Sequence, residues 1–366
     1  MADRQARQAR NPDGDRQENV PHWRGCCRVE GLTERSDWTM KIMFYSLRPF
    51  DELSYAEKFS KQYGIDFAWT SDYPNPDNIK LAEGCDAVSS TPCDMSAKYI
   101  DAFHDLGVKY LPCRSIGYDH IDMNEARKLG MKVSNVSYAP GGVANYAIMM
   151  MLMLLRKMMP IMKRAEIQDY HLKGKMGRDI SNCTVGVIGT GRIGRTVIRS
   201  LSGFGCRILA YDPYENEEVK KYAAYVPADA LLAQSDIITL HAPASEANYH
   251  ILNREAFNKC KDGVLIVNAA RGTLIDTAAL IDALESGKVG GAGLDVLEHE
   301  AGLYYYNREG DIIRNDEMSI LRSFPNVILS PHTAFYTDDA VESMVNGIFE
   351  SVSCWARGVE NPHEVH

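Results

Sequence analysis

The chain holds 366 residues, 45% hydrophobic and 24% charged, with a formal net charge of −9 at pH 7. That length predicts two domains with sizeable cores, and the acidic balance excludes nucleic acid and anionic membrane surfaces as partners, leaving a small molecule. Nine cysteines lie scattered with no Cys-x-x-Cys pair, which argues against a zinc site or disulfide framework and for reduced thiols in a cytoplasmic setting.

Residues 1–39 carry seven Arg, seven acidic residues and no Lys, without a periodic apolar pattern. A disordered tail is expected there, with no apolar segment of the kind that marks a secretory leader. Met40 is followed at once by an apolar run, which makes it a candidate native start. Strands are predicted at 42–45, 65–69, 86–89, 109–112 and 132–135, alternating with helices such as 53–63. That is the pattern of a small parallel α/β unit. A helix over 142–155 follows, then one ending near Gly174. The apolar stretch 146–155 is about half the length a bilayer needs, and its Met149–Met153 run reads as core or subunit-interface packing.

The most informative segment is next. Val185–Ile188 reads as a strand buried on both faces, and it runs into Gly189-Thr-Gly-Arg-Ile-Gly194 and a helix start. Gly189, Gly191 and Gly194 allow a tight turn, close backbone approach to a pyrophosphate and close helix packing. A second strand, 207–211, ends on Asp212, 18 residues after Gly194. An acid there accepts the ribose hydroxyls of NAD and repels the 2′-phosphate of NADP. Further apolar runs at 237–241, 264–268, 291–296 and 327–329 suit parallel strands covered on both faces. The final helix, 340–355, lies beyond the last strand and is expected to return to the first unit, leaving a cleft between two domains.

A nicotinamide at the carboxyl ends of such strands needs a cation for a substrate carboxylate, a proton donor for a carbonyl oxygen, and a group that keeps the donor protonated. Asn268-Ala-Ala-Arg271-Gly272 follows one strand and offers Arg271 as a bidentate fork. Ser330-Pro-His332-Thr follows another and offers His332 as general acid. His241 also ends a strand and is the rival, read as a cofactor-side or structural residue. His104, His171, His363 and His366 are read as solvated. Asp295-Val-Leu-Glu298-His-Glu300 closes a third strand; either glutamate could pair with His332 and raise its pKa, and spacing does not choose. Asp295 is read as facing the cofactor. No second His stands at ligand spacing, so no metal is expected.

Together these segments resemble the D-specific 2-hydroxyacid dehydrogenase family from Met40 to the C-terminus, most nearly its D-lactate, D-2-hydroxyisocaproate and vancomycin-resistance pyruvate reductase members. The carrying motifs are Arg114-Ser-Ile-Gly-Tyr-Asp-His-Ile-Asp122, Tyr138-Ala-Pro140, Gly189–Gly194, Asn268–Gly272, Gly293–Glu300 and Pro331–Thr337. The resemblance implies two doubly wound parallel-sheet domains, a Rossmann NAD domain at 139–335 inserted into a smaller flavodoxin-like substrate domain at 40–138, completed by the C-terminal helix of 336–366. It also picks Glu300 over Glu298, and so implies Arg271, Glu300 and His332 as carboxylate anchor, pKa-raising partner and proton donor. Ile116, Gly117, Tyr138 and Phe335 would line the substrate pocket. Arg192 and Ile193 would meet the pyrophosphate, Asp212 the ribose, and Ala242, Pro243, Ala269, Ala270, Arg271 and Asp295 the rest of the NAD. A homodimer built on the helix after Tyr138 is implied too. Asn145 stands where many relatives carry Glu, and Gly141-Gly142 replace bulkier residues, which implies a more flexible hinge.

The expected function is NADH-dependent reduction of a small, pyruvate-like 2-oxo acid to the D-hydroxy acid. The alternatives are the same chemistry on a branched-chain or aromatic acid, or a dinucleotide-sensing corepressor of the same fold.

Overall fold

The structure, a computed structural model, describes residues 40–366, so the tail expected at 1–39 lies outside the described residues. The apolar runs form strands β1 (Lys41–Phe44), β2 (Asp66–Trp69), β3 (Ala87–Ser89), β4 (Tyr110–Pro112) and β5 (Lys132–Ser134). Further along come β6 (Thr184–Ile188), β7 (Arg207–Tyr211), β8 (Ala224–Tyr225), β9 (Ile237–Leu240), β10 (Val264–Asn268), β11 (Val289–Leu294), β12 (Val327–Leu329) and β13 (Glu364–Val365). The helices that matter for the site are α1 (Leu53–Tyr63), α2 (Gly141–Leu155), α3 (Met158–Glu166), α4 (Arg192–Ser202) and α5 (Asp338–Arg357).

Two sheets result. One has the order β13-β5-β4-β3-β1-β2 and the other β12-β11-β10-β9-β6-β7-β8. Without β13 the first is the 2-1-3-4-5 order of flavodoxin-like folds. Counted from β6, the second is the 3-2-1-4-5-6 dinucleotide-binding order with one strand added. Every pairing in the second sheet is parallel. Only β13 departs in the first, running antiparallel to β5. His363, read as solvated, is half-buried just before β13, 3.6 Å from Glu350.

Alternation along each strand explains the unbroken apolar runs. In the second sheet Ile188, Ile238, Leu240 and Ile266 enter one core. Val185, Val187, Ile237 and Val267 enter the other, against Ala147 and Met151 of α2 and Val197 and Leu201 of α4. The first sheet sends Met43, Val88, Leu111 and Val133 to one side and Ile42, Phe44 and Ala87 to the other, where α5 covers them with Val345, Ile348, Phe349 and Val352. Among the described residues no helix is long and apolar enough to cross a membrane.

Most boundaries lie within one or two residues of the sequence reading, and two of the differences have a physical reason. The break expected between the two helices falls at Lys157, with a positive φ of 51°, but α3, expected to end near Gly174, ends at Glu166. Ile167, Tyr170 and Leu172 continue the apolar spacing, but they are exposed and pack on no core. The strand expected over 291–296 runs over 289–294, because Asp295 turns its side chain to the following loop.

Candidate active site

The order of the second sheet reverses between β6 and β9, and in such sheets a ligand binds beyond the carboxyl ends of the strands at that point. Gly189 leaves β6 at φ +91°, and a Cβ there would lie 2.6 Å from the carbonyl carbon of His241. Gly194 packs closer still, since a Cβ would come within 2.0 Å of the Gly189 oxygen. At Gly191, the N-cap of α4, a Cβ would meet nothing within 4 Å. The turn therefore presents a helix N-terminus with open space before it, a cradle for a diphosphate. Asp212 closes β7 and accepts the Thr190 amide at 2.6 Å and the Tyr214 amide at 2.9 Å. Its carboxylate thus stands beside the glycine turn, as a ribose-binding acid requires. Arg192 crosses to the other half of the molecule and donates to Ser137 and the Tyr138 carbonyl. Ile193 is half-buried on α4, and Ala242 and Pro243 follow β9 on the same rim. These features fit a dinucleotide.

His241 begins that rim but is a poor proton donor. Burial pushes its pKa down to about 4; Nε2 meets Thr239 Oγ1 at 2.9 Å, and Nδ1 is buried without a partner.

Asn268, 1% exposed, ends β10 and fixes the next turn, accepting from the Ala270 amide at 3.0 Å and donating to the Arg271 carbonyl at 2.8 Å. Ala269 and Ala270 line that turn, half-buried. Gly272 lets the turn touch the loop after β11, where any Cβ would fall 2.1 Å from Leu297. Arg271 reaches toward the first sheet. Its Nη2 lies where a Cβ on Gly117 would be, 1.6 Å from that position, and Nε and Nη2 each donate to Asp119 Oδ1 at 3.3 Å. The loop bearing Ile116 and Gly117 follows β4. Arg114, fully buried against Glu52, anchors its start by donating to the carbonyls of Tyr45, Ser46 and Ser89, and Asn135 donates to the Ile116 carbonyl at 2.8 Å.

His332 Nδ1 donates to Glu300 Oε1 at 2.6 Å, leaving Nε2 without a hydrogen bond among the described residues. The second Glu300 oxygen accepts the Leu297 amide at 2.8 Å. Glu298 is committed elsewhere, to His250 at 2.8 Å and the Thr277 hydroxyl at 3.1 Å, so geometry makes the choice that spacing left open. Asp295 is 1% exposed. Its carboxylate accepts from Ser330 Oγ at 2.6 Å and the amides of Thr333 and Ala334 at 2.9 Å each. The side chain that the sequence reading aimed at the cofactor thus faces the loop carrying His332. That loop needs holding, because His332 has a positive φ of 55°, unfavourable for a residue with a Cβ.

Tyr138 and Phe335 face one another at 6.4 Å between ring centres, and Phe335 lies 6.4 Å from the His332 ring. Burial pushes the Tyr138 phenol up to about 12 although the Arg271 charge pulls it down, and the ring spacings set Tyr138, Phe335 and His332 side by side. Sequence reasoning missed two neighbours. Tyr305 donates to the His332 carbonyl at 3.0 Å with its ring 5.7 Å away, and Tyr306 meets Tyr73 of the other half at 4.9 Å. The run of three tyrosines at 304–306 was the available signal. Asp119 was in plain view two residues after Gly117. Among the described residues no cluster of His, Cys, Asp or Glu is placed to hold a metal.

The family model for the NAD-binding domain of D-isomer specific 2-hydroxyacid dehydrogenases matches residues 148–334. An aromatic 2-oxoacid reductase of Clostridium sporogenes is 43% identical over 84% of this chain and 93% of its own length. A D-lactate dehydrogenase of Lactiplantibacillus plantarum is 40% identical over the same shares. Among solved structures, a D-lactate dehydrogenase of Treponema pallidum superposes with a TM-score of 0.81 at 31% identity, covering 89% of this chain and 100% of that one.

Proposed function

The chain belongs to the D-isomer specific 2-hydroxyacid dehydrogenase family of NAD-dependent oxidoreductases, and on that premise we propose that it reduces a small, pyruvate-like 2-oxo acid to the D-2-hydroxy acid. The observation that carries this is the 2.6 Å contact of His332 with Glu300 on the rim that also bears Arg271. Arg271, with the backbone amides of Ile116 and Gly117, holds the substrate carboxylate. His332 delivers the Nε2 proton to the carbonyl oxygen, and Glu300 keeps the ring oriented through Nδ1. NADH, when bound, would supply the hydride. Gly189, Gly191, Arg192, Ile193 and Gly194 hold its diphosphate and Asp212 its adenosine ribose. Ala242, Pro243, Ala269 and Ala270 border the nicotinamide half, while Asp295 holds the loop that carries His332.

The rings of Tyr73, Tyr138, Tyr305, Tyr306 and Phe335 support a second reading, in which the side chain of the acid is itself aromatic. The name of the Clostridium relative points the same way. Initial rates with pyruvate, 2-oxoisocaproate and phenylpyruvate, each with NADH and NADPH, test both readings. No turnover of any acid would overturn the proposal, and a preference for NADPH would remove Asp212 from its role.

Residues 40–138 with 336–366 form the substrate half and 139–335 the cofactor half. Much of α2, the helix expected to carry a dimer interface, is buried in this chain's own core, so we place the homodimer instead on Met158, Met162, Ile167, Leu172 and Met176, exposed along and beyond α3. The seven described cysteines, all free thiols, support a reducing cytoplasm.

A further inference from the structure

Arg271 and Asp119 come from opposite halves of the molecule and meet across the cleft. One oxygen of Asp119 accepts from both Nε and Nη2 at 3.3 Å, while Nη1 donates to the Ala270 carbonyl at 2.7 Å. A guanidinium has five N–H donors. These contacts engage three and leave one on each terminal nitrogen, the pair that suits the two oxygens of a carboxylate. The absent side chain of Gly117 brings the loop backbone against Nη2, and contacts within the loop brace it. Ser115 Oγ donates to the Gly117 carbonyl at 2.6 Å, and His120 Nε2 rests 3.5 Å from Cys113 Sγ. Although burial pushes the Asp119 carboxyl up, Arg271 holds it below the usual range.

We propose that Asp119 is the positioning residue for Arg271, holding the side-on edge of the guanidinium so that its remaining donors face the substrate carboxylate. This rests on Arg271 being the carboxylate anchor. The alternative for a carboxylate in this place is a competitor that the substrate must displace. The two differ in sign: loss of a positioning residue weakens substrate binding, and loss of a competitor strengthens it. The donor count favours positioning, because substrate and Asp119 can be held together. Arg271 then need not be ordered anew at each encounter, and orienting a flexible binding group in advance raises affinity.

The test is steady-state kinetics with phenylpyruvate and pyruvate on Asp119→Asn, Asp119→Glu, Arg271→Lys and the Asp119→Asn/Arg271→Lys pair. Asp119→Asn is expected to raise KM for the 2-oxo acid roughly tenfold, with kcat within about threefold and KM for NADH unchanged. Asp119→Glu should recover part of the loss, and in the Arg271→Lys background Asp119→Asn should have no further effect, because its only route to substrate is gone. An unchanged or lowered KM in Asp119→Asn, or an equal effect in both backgrounds, overturns the proposal. Unaltered kinetics in Arg271→Lys alone would instead overturn the anchor reading. Asparagine is nearly isosteric and the side chain is 59% exposed, so folding is expected to survive; should it not, the binding of oxamate to the Asp119→Glu enzyme with NADH carries the same signs.

Discussion

At His332 the chain accepts an unfavourable backbone conformation, φ 55°, and Asp295 secures it with three hydrogen bonds. The ring is thereby fixed with Nδ1 on Glu300 and Nε2 without a hydrogen bond among the described residues. Replacing His332 by Ala should lower kcat for reduction about 10²-fold or more, the usual share of a general acid, with NADH binding intact by fluorescence titration. Glu300→Gln should lower kcat at neutral pH, since a neutral amide replaces the charge-assisted bond that orients the ring. Glu298→Gln, which faces His250 and Thr277, should leave kcat within about twofold. Equal losses in the two glutamine variants would return the pairing to Glu298. The residue types at strand ends were readable from sequence because a strand end exposes whatever follows it. Which of two glutamates two positions apart meets the histidine was not, since the loop after β11 decides it and no local period governs a loop.

On the scale of elements, the glycine turn and the helix it starts are one unit. A Cβ at Gly194 would overlap the Gly189 oxygen, so Gly194→Ala must push α4 off β6. The expected result is a loss of about 1–3 kcal/mol in urea denaturation with weakened NADH affinity; unchanged affinity would mean the turn does not shape the cofactor cradle. Strands such as β7, β10 and β12 were legible to the residue, because both faces are covered and the apolar run is continuous. β8 and β13 were not, at two residues each. They exist only through tertiary contacts, such as the bond from Asn135 to the His363 carbonyl and that from Trp355 to Glu364.

Across the whole molecule, two histidines couple folding to acidity. Burial holds both His120 and His241 down near a pKa of about 4, against roughly 6.5 in the unfolded chain. The unfolded state therefore binds more protons between those values. Stability is complete above pH ~6.5 and falls as the pH drops toward 4, by roughly 1.4 kcal/mol per pH unit for each ring. Urea midpoints across that range should show the decline, and His120→Gln should reduce its slope by about half. A flat profile would mean that neither ring is buried in its neutral form. The two-sheet plan was legible from the alternation of strands and helices. The cross-cleft contacts of Arg192 and Asp119 were not, because they join segments far apart in sequence through side chains that any solvated surface also carries.

The wall that α5 lends the first sheet has a consequence for how the chain is made. Ile42, Phe44 and Ala87 leave the ribosome before any strand of the second sheet, yet the residues that cover them, among them Val345, Phe349 and Trp355, are made only after its last strand. The second sheet lies wholly between residues 184 and 329 and can close while translation continues. The half begun first is therefore completed after the one enclosed within it, and until then it exposes an aromatic and aliphatic face of the kind that holdase chaperones bind.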